Sequence, residues 1–381
     1  MSFIHKTIDT TDIMHALDII EQTESIGKLM VVCGEHCKRL SVATELYDSG
    51  KDIIWFQDFS PNPLYEEVKR GTELFNSTQC DSILAIGGGS AMDVAKCIKL
   101  FSTLDSHSNY LEQEYKANDI PLIAIPTTAG TGSEATRFAV IYYEQNKQSI
   151  THDSIIPSYV IFIPELLYDL PLYQKKATMF DALCHAVESM WSVNSTDESL
   201  DYSKRAIKLI LENYQGYLDN EIQSIGKMLE ASNIAGKAIN ITQTTAGHAM
   251  CYKITSLYGI AHGHAAALCV KELWEYMICN TERCIDQRGE KHLLEIFKSL
   301  DKSFLGERAL DKQGDCSIGK TGVDVFKKLF DRLDMDVPVS KCEDIDMLVK
   351  SVNLDRLKNN PIKLDEDTIR MLYQRILSMS V

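Results

Sequence analysis

The sequence predicts an α/β domain with a buried parallel sheet over residues 1–164, followed by an all-α domain over residues 165–381. Three observations carry this. Up to about Pro164, short apolar runs rich in Val and Ile alternate with polar segments of helical period. Beyond it the texture changes to long 3.6-residue periodicity with little turn punctuation, as far as about Ile278. Finally, 381 residues exceed what one hydrophobic core usually supports.

The predicted strands are residues 29–32, 53–56, 83–86 and 122–125. None alternates apolar with polar, which suits strands covered on both faces and therefore a parallel sheet flanked by helices. Residues 138–143 and 159–163 follow with little helical sequence between them and read as a hairpin or edge addition. Pro164 and Pro171 mark the junction, since each discourages helix in the residue before it. In the second half, helices are predicted over residues 178–191 and 244–254, with Gly259 as a break and His262 at a turn or the start of the next helix. The tail from Pro338 is again helical in texture, with a loop at Asn359-Asn360-Pro361 and a last helix over 366–379.

Composition narrows the function. Hydrophobic residues are 45% and charged residues 24% of the chain, the balance of a soluble globular protein. A net charge of −15 opposes nucleic-acid binding, which depends on Lys and Arg neutralising phosphates. Eleven cysteines without paired spacings suggest reduced thiols and a cytoplasmic location. The opening residues Met1 to Thr7 lack an apolar signal core, and no run of eighteen apolar residues occurs, so neither secretion nor a membrane partner is expected.

Two loops point to a nucleotide. Gly87-Gly88-Gly89-Ser90, with Asp93 after it, follows a buried strand and opens a helix. Glycines let backbone approach closely, and a helix N-terminus offers free amides to a diphosphate. Ser90 with Asp93 also reads as a capping pair. The second loop, Pro126 to Glu134, supplies Thr127, Thr128, Thr131 and Ser133 as hydroxyl donors, or as ordinary turn caps. Two such loops at neighbouring strand ends make a nucleotide crevice. Asp58 is the candidate acceptor for ribose hydroxyls, and no Arg adjoins it in sequence to welcome a 2′-phosphate, which favours NAD over NADP.

A second constellation points to a metal. Asp181 and His185 lie four apart in a helical segment and share a face with Glu188. Alone, such a pair is usually a helix-surface hydrogen bond. His248 and His262, however, sit in small, apolar surroundings where an unpartnered ring is costly, and ligation satisfies both. One carboxylate and three imidazoles suit Fe²⁺, Zn²⁺ or Mn²⁺. Cys184 and Cys251 are read as packing residues that face elsewhere.

These features, with Pro61-Asn62-Pro63, Lys96, the fourteen-residue step from His248 to His262, and Asn359-Asn360-Pro361, resemble the iron-containing (group III) alcohol dehydrogenase family over nearly the whole chain. The resemblance implies a Rossmann-like dinucleotide-binding domain, a helical metal-binding domain and an active site in the cleft between them. It also implies Asp181, His185, His248 and His262 as ligands of Fe²⁺ or Zn²⁺, with NAD or NADP as cosubstrate, and a homo-oligomer, dimer or larger. Many members carry a histidine four residues after the third ligand; here that position is Tyr252. The stretch from His248 to Lys253 resembles the phosphonoacetaldehyde reductase subgroup, which implies a small anionic aldehyde. Tyr252 and His264 are then candidate proton donors, and Lys253 a candidate anion contact. The expected chemistry is metal-assisted hydride transfer between nicotinamide and a small aldehyde or primary alcohol. Alternatives are a glycerol dehydrogenase-like polyol oxidation, a dehydroquinate synthase-like cyclase with catalytic NAD, and a non-enzymatic scaffold.

Overall fold

The computed structural model describes residues 5–144, 146–305, 318–352 and 357–379, without the side chains of Cys342 and Met379. Residues 1–4, on which the reading of the chain's start partly rests, lie outside the described residues. The chain forms two compact units, Met1–Leu170 and Pro171–Val381.

The first unit contains β1 (Lys6–Ile8), α1 (Ile13–Glu21), β2 (Leu29–Cys33), α2 (Ser41–Asp48), β3 (Ile53–Phe56), α3 (Tyr65–Ser77), β4 (Ser82–Gly87), α4 (Gly89–Phe101), β5 (Leu122–Pro126), β6 (Phe138–Tyr143), β7 (Asn146–Thr151) and β8 (Tyr159–Ile161). Six of these strands form a sheet in the order β1-β8-β5-β4-β2-β3, with every neighbouring pair parallel. β2, β4 and β5 are buried at every position, the physical reason their sequences do not alternate. The chain runs outward from β2 to β3 and then returns to β4 on the other side of β2. The β2/β4 gap is therefore the topological switch point, beyond whose C-terminal ends ligands bind in open α/β sheets.

One expectation is corrected here. Residues 138–143 do form a hairpin, but with β7 rather than with residues 159–163. The latter contribute β8, a parallel strand between β1 and β5. β7 reads Asn-Lys-Gln-Ser-Ile-Thr and buries only Ile150, so it carries no apolar signal that would announce a strand.

The second unit contains α5 (Leu172–Trp191), α6 (Asp197–Leu218), α7 (Ile222–Thr242), α8 (Ala246–Tyr258), α9 (His262–Ile278), α10 (Glu290–Leu305), α11 (Lys320–Arg332), β9 (Val339–Ser340), α12 (Cys342–Ser351), α13 (Glu366–Ile376) and β10 (Ser378–Met379). Among the described residues it is helical apart from the short parallel ribbon of β9 and β10. That ribbon ends the last helix at Ile376, before the expected limit, because the tail finds a strand partner that local periodicity cannot reveal.

α5 packs against α6, α7 and α9, and α8 against α9. From residue 179 to 191 α5 is buried on all sides. A helix without a wet face must satisfy its polar side chains internally. Gly259, with φ +68, ends α8 in the left-handed conformation and lets the chain turn into α9. Gly263 then brings α9 against α5: a Cβ there would overlap the Ala177 carbonyl oxygen and approach the Asp181 amide nitrogen to 2.9 Å. Backbone atoms cannot swing aside as a side-chain tip can. Gly263→Ala is therefore expected to lower stability by about 1–3 kcal/mol, read as a depressed melting temperature, with loosened metal retention in the same preparation.

Candidate functional site

The two loops expected to cradle a nucleotide stand side by side, because β4 and β5 are neighbours. Gly87 pairs with Pro126, and the Thr127 amide donates to the Gly87 carbonyl at 3.0 Å. The loops also touch through side chains. A Cβ on Gly88 would meet Thr128 Oγ1 at 3.2 Å, and one on Gly89 would meet Thr131 Cγ2 at 3.3 Å, so the glycines keep the turn narrow. α4 begins at Gly89 with no side-chain cap, leaving its first amides for an anion.

Ser90 is thus not the expected cap; its hydroxyl faces the Asn62 amide at 3.4 Å. Asp93 accepts from Ser133 Oγ at 3.3 Å, and Lys96 Nζ donates to Ser133 Oγ, Thr136 Oγ1 and the Phe138 carbonyl at 2.8–3.1 Å. Both tie α4 to the second loop. Loss of water pushes the Asp93 carboxyl up to about 6 despite Lys96, and pushes the Lys96 ammonium down to about 8 despite Asp93. Thr131 Oγ1 accepts from the Ser133 amide at 3.2 Å, and Gly132 takes φ +57 within that turn.

Asp58 is corrected. Arg70, from α3, does reach it: Nε donates to Asp58 Oδ2 at 2.7 Å, so the carboxylate is neither free of arginine nor unpaired. The sheet order adds a second reason. Asp58 follows β3, on the far side of β2 from the glycine turn, whereas the loop after β2, Glu35–Arg39, adjoins that turn at the switch point. The signal for it was present in sequence, as Gly34 directly after a fully buried strand.

In the helical unit Asp181, His248 and His262 converge, with one ligand atom of each within 4.8 Å of the others. His248 Nε2 lies 3.4 Å from Asp181 Oδ1. His185 stands beside them, Nε2 3.9 Å from the same oxygen and its ring stacked on His248 at 4.5 Å. Burial alone raises Asp181, but His185, His248 and His262 outweigh it and hold the carboxyl well below the usual range. Burial lowers His248, yet Glu188 and Asp181 overcome this and carry it up to about 9. Such a pocket of opposed charge suits a divalent cation, and oxygen with imidazole nitrogen is a donor set that iron or zinc accepts.

The surroundings refine four expectations. Tyr252 stacks on His262, centroids 5.1 Å apart, and so belongs to the group. Cys251 does too, contrary to its reading as a packing residue facing elsewhere: its sulfur lies 3.7 Å from His262 Nδ1, because three residues along a helix nearly restores a face. His264 does not. It is buried on the other side of α9, where Tyr173 Oη, which accepts from the Ala261 amide at 2.9 Å, meets its Nδ1 at 3.1 Å. Lys253 is half-buried, five residues beyond His248 and therefore roughly 140° round α8 from it. Glu188 is the partner that sequence left without a role: its carboxylate accepts from His248 Nδ1 and from the His248 amide at 3.3 Å.

A nucleotide crevice and a buried oxygen–nitrogen metal group define an enzyme that combines a dinucleotide with a transition metal. The profile "Iron-containing alcohol dehydrogenase" matches residues 12–164, and "Fe-containing alcohol dehydrogenase family, C-terminal" matches residues 175–377. The chain belongs to the iron-containing alcohol dehydrogenase family. It is 29% identical to a phosphonoacetaldehyde reductase of Streptomyces viridochromogenes, over 78% of this chain and 76% of the relative. It is 31% identical to alcohol dehydrogenase 4 of Schizosaccharomyces pombe, over 86% and 78%. The crystal structure of sulfoacetaldehyde reductase from Bifidobacterium kashiwanohense in complex with NAD⁺ superposes with TM-score 0.82 and 25% identity, covering 99% of this chain and 98% of that one. The protein is an oxidoreductase, an iron-type alcohol or aldehyde dehydrogenase that binds NAD. Among the described residues no helix is long and apolar enough to cross a membrane.

The Asp93 carboxyl provides a pH test. Its folded pKa, about 6, exceeds the unfolded value of about 3.9, so the folded state holds the proton more tightly. The resulting stabilisation is present below pH ~4 and is lost as pH rises through about 6. Asp93→Asn removes this term. The stability of wild type minus that of the variant, from urea melts at pH 4 and pH 6.5, is expected to fall by about 2–3 kcal/mol.

Proposed function

We propose that this enzyme interconverts a small anionic aldehyde and its primary alcohol, using NAD(H) and a metal held by Asp181, His185, His248 and His262. The observation that carries the reading is the convergence of buried Asp181 and His248 with half-buried His262 in a chain of this family. Bound there, iron supplies Lewis acidity towards the carbonyl oxygen and the nicotinamide supplies the hydride, so the protein's own work is positioning. Asp181 contributes the negative charge that makes the pocket cation-selective. Glu188 holds the His248 ring in place. Tyr252, stacked on His262, is the candidate to deliver a proton to the product oxygen, directly or through water. His264, bound to Tyr173, is better read as fixing the start of α9. The glycine turn and the hydroxyls of Thr127, Thr128 and Thr131 take the diphosphate, and Ser133, held by Asp93 and Lys96, shapes the second loop.

The anionic substrate rests on two relatives whose names specify aldehydes bearing a phosphonate or a sulfonate, and on the position of Lys253 five residues after His248 in sequence. With Asp58 paired to Arg70, NAD is preferred on family grounds rather than on that carboxylate. A cytoplasmic setting agrees with the reduced state of nine cysteines among the described residues, and a homo-oligomer follows the family resemblance alone.

Metal-loaded protein is expected to oxidise NADH with short aldehydes, and His248→Ala to abolish both this and metal retention measured by elemental analysis. Undiminished activity in that variant would sink the site. Phosphonoacetaldehyde and sulfoacetaldehyde are expected to give at least tenfold higher kcat/KM than propanal, a gap worth about 1.4 kcal/mol, and Lys253→Ala to narrow it through KM. Equal rates with all three aldehydes, unchanged by Lys253→Ala, would restrict the assignment to a general alcohol dehydrogenase.

A further inference from the structure

We infer that Trp191 and Thr245 act with Glu188 as positioning residues that select which nitrogen of His248 is left for the metal. The inference rests on the metal reading above and adds the source of the histidine's orientation.

Glu188 and Trp191 lie three apart near the end of α5; Thr245 and His248 lie three apart across the start of α8. Thr245 is the N-cap residue of α8, yet its side chain does not cap that helix. The carboxylate of Glu188 takes that place, accepting from the amides of Thr245 and His248 at 3.2 and 3.3 Å, where the positive helix end favours an anion. The Thr245 hydroxyl is thereby free to serve as a link.

The direction of each hydrogen follows from chemistry. An indole N–H only donates, so Thr245 Oγ1 accepts from Trp191 Nε1 at 2.9 Å. The single hydroxyl proton of Thr245 then points to Glu188 Oε1. With that hydroxyl and two amides directed at Oε1, Oε2 remains for His248. A carboxylate accepting from every side is an anion without a proton of its own, so His248 Nδ1 must be the donor. In the neutral imidazole the lone pair then resides on Nε2, the nitrogen facing Asp181. Trp191 is 1% exposed and Glu188 and Thr245 are 0% exposed, so bulk water has no route to substitute for the indole donor. Trp274 meets the Trp191 ring edge-on at 5.8 Å and holds it in place.

The experiment is zinc binding to chelator-stripped protein, measured by competition with a chromophoric chelator, in wild type, Thr245→Val, Thr245→Ser and Trp191→Phe. Circular dichroism follows the fold. Thr245→Val is expected to weaken zinc about ten- to hundredfold, Trp191→Phe to weaken it less but in the same direction, and Thr245→Ser to restore it. In ¹⁵N-histidine spectra of the zinc-loaded wild type, His248 is expected to carry its proton on Nδ1, and that proton to exchange faster with solvent in Thr245→Val. Should Thr245→Val fail to fold, Trp191→Phe, which keeps an aromatic ring in the same space, decides alone. Zinc affinity within twofold of wild type in the folded variants, with the Nδ1 proton unmoved, would overturn the inference while leaving the metal site standing. A wild type that binds zinc no better than His248→Ala would instead overturn the metal reading, and this inference with it.

Discussion

A carboxylate sealed away from water at the heart of the helical unit sets the terms for everything around it. Glu188 is 0% exposed, and an ion so placed persists only if its neighbours replace the hydration it has lost. They do so from two helices, and the effect is to hold the carboxyl below its ordinary range although burial pulls it upward. α5 can therefore run buried on all sides while carrying Asp181, His185 and Glu188, because each finds its counter-group on α8 or α9 or within the helix. The candidate metal group continues that arrangement, and only His262 in it is half-buried. The same charges that make α5 expensive as a core helix make it cation-binding.

The α/β unit solves a different problem with different means. A diphosphate is recognised chiefly by backbone amides and small hydroxyls, so the charged side chains near it serve the loops rather than the ligand. Asp93 and Lys96 look like site residues by type and spacing, yet their atoms are engaged in fastening α4 to the neighbouring loop. Charge in this unit stabilises the shape of a turn; in the helical unit it forms the pocket proposed for the ion.

How much was legible in the sequence followed from how local the cause was. The parallel sheet could be read because β2, β4 and β5 are buried on both faces and their residues say so one by one. β7 could not, since a polar strand on a hairpin carries no apolar mark. Asp181, His248 and His262 were visible as polar groups in apolar company, and their convergence agrees with that reading. Cys251 was misjudged by a helical-wheel error that the spacing itself could have corrected. The Asp58–Arg70 pair and the Thr245–Glu188 contact were beyond reach, because each depends on how separate elements meet, the second across 57 residues.

The crossing at Gly263 also bears on when the ion can be acquired during synthesis. Asp181 and His185 emerge on α5 long before α9 exists, and by themselves they are a weak pair with no enclosing shell. The proposed shell can be complete only after His262 has left the ribosome and α9 has settled against Ala177 and Asp181, a contact that the missing side chain of one glycine permits. At the proposed site, ion capture is thereby coupled to completion of the helical unit.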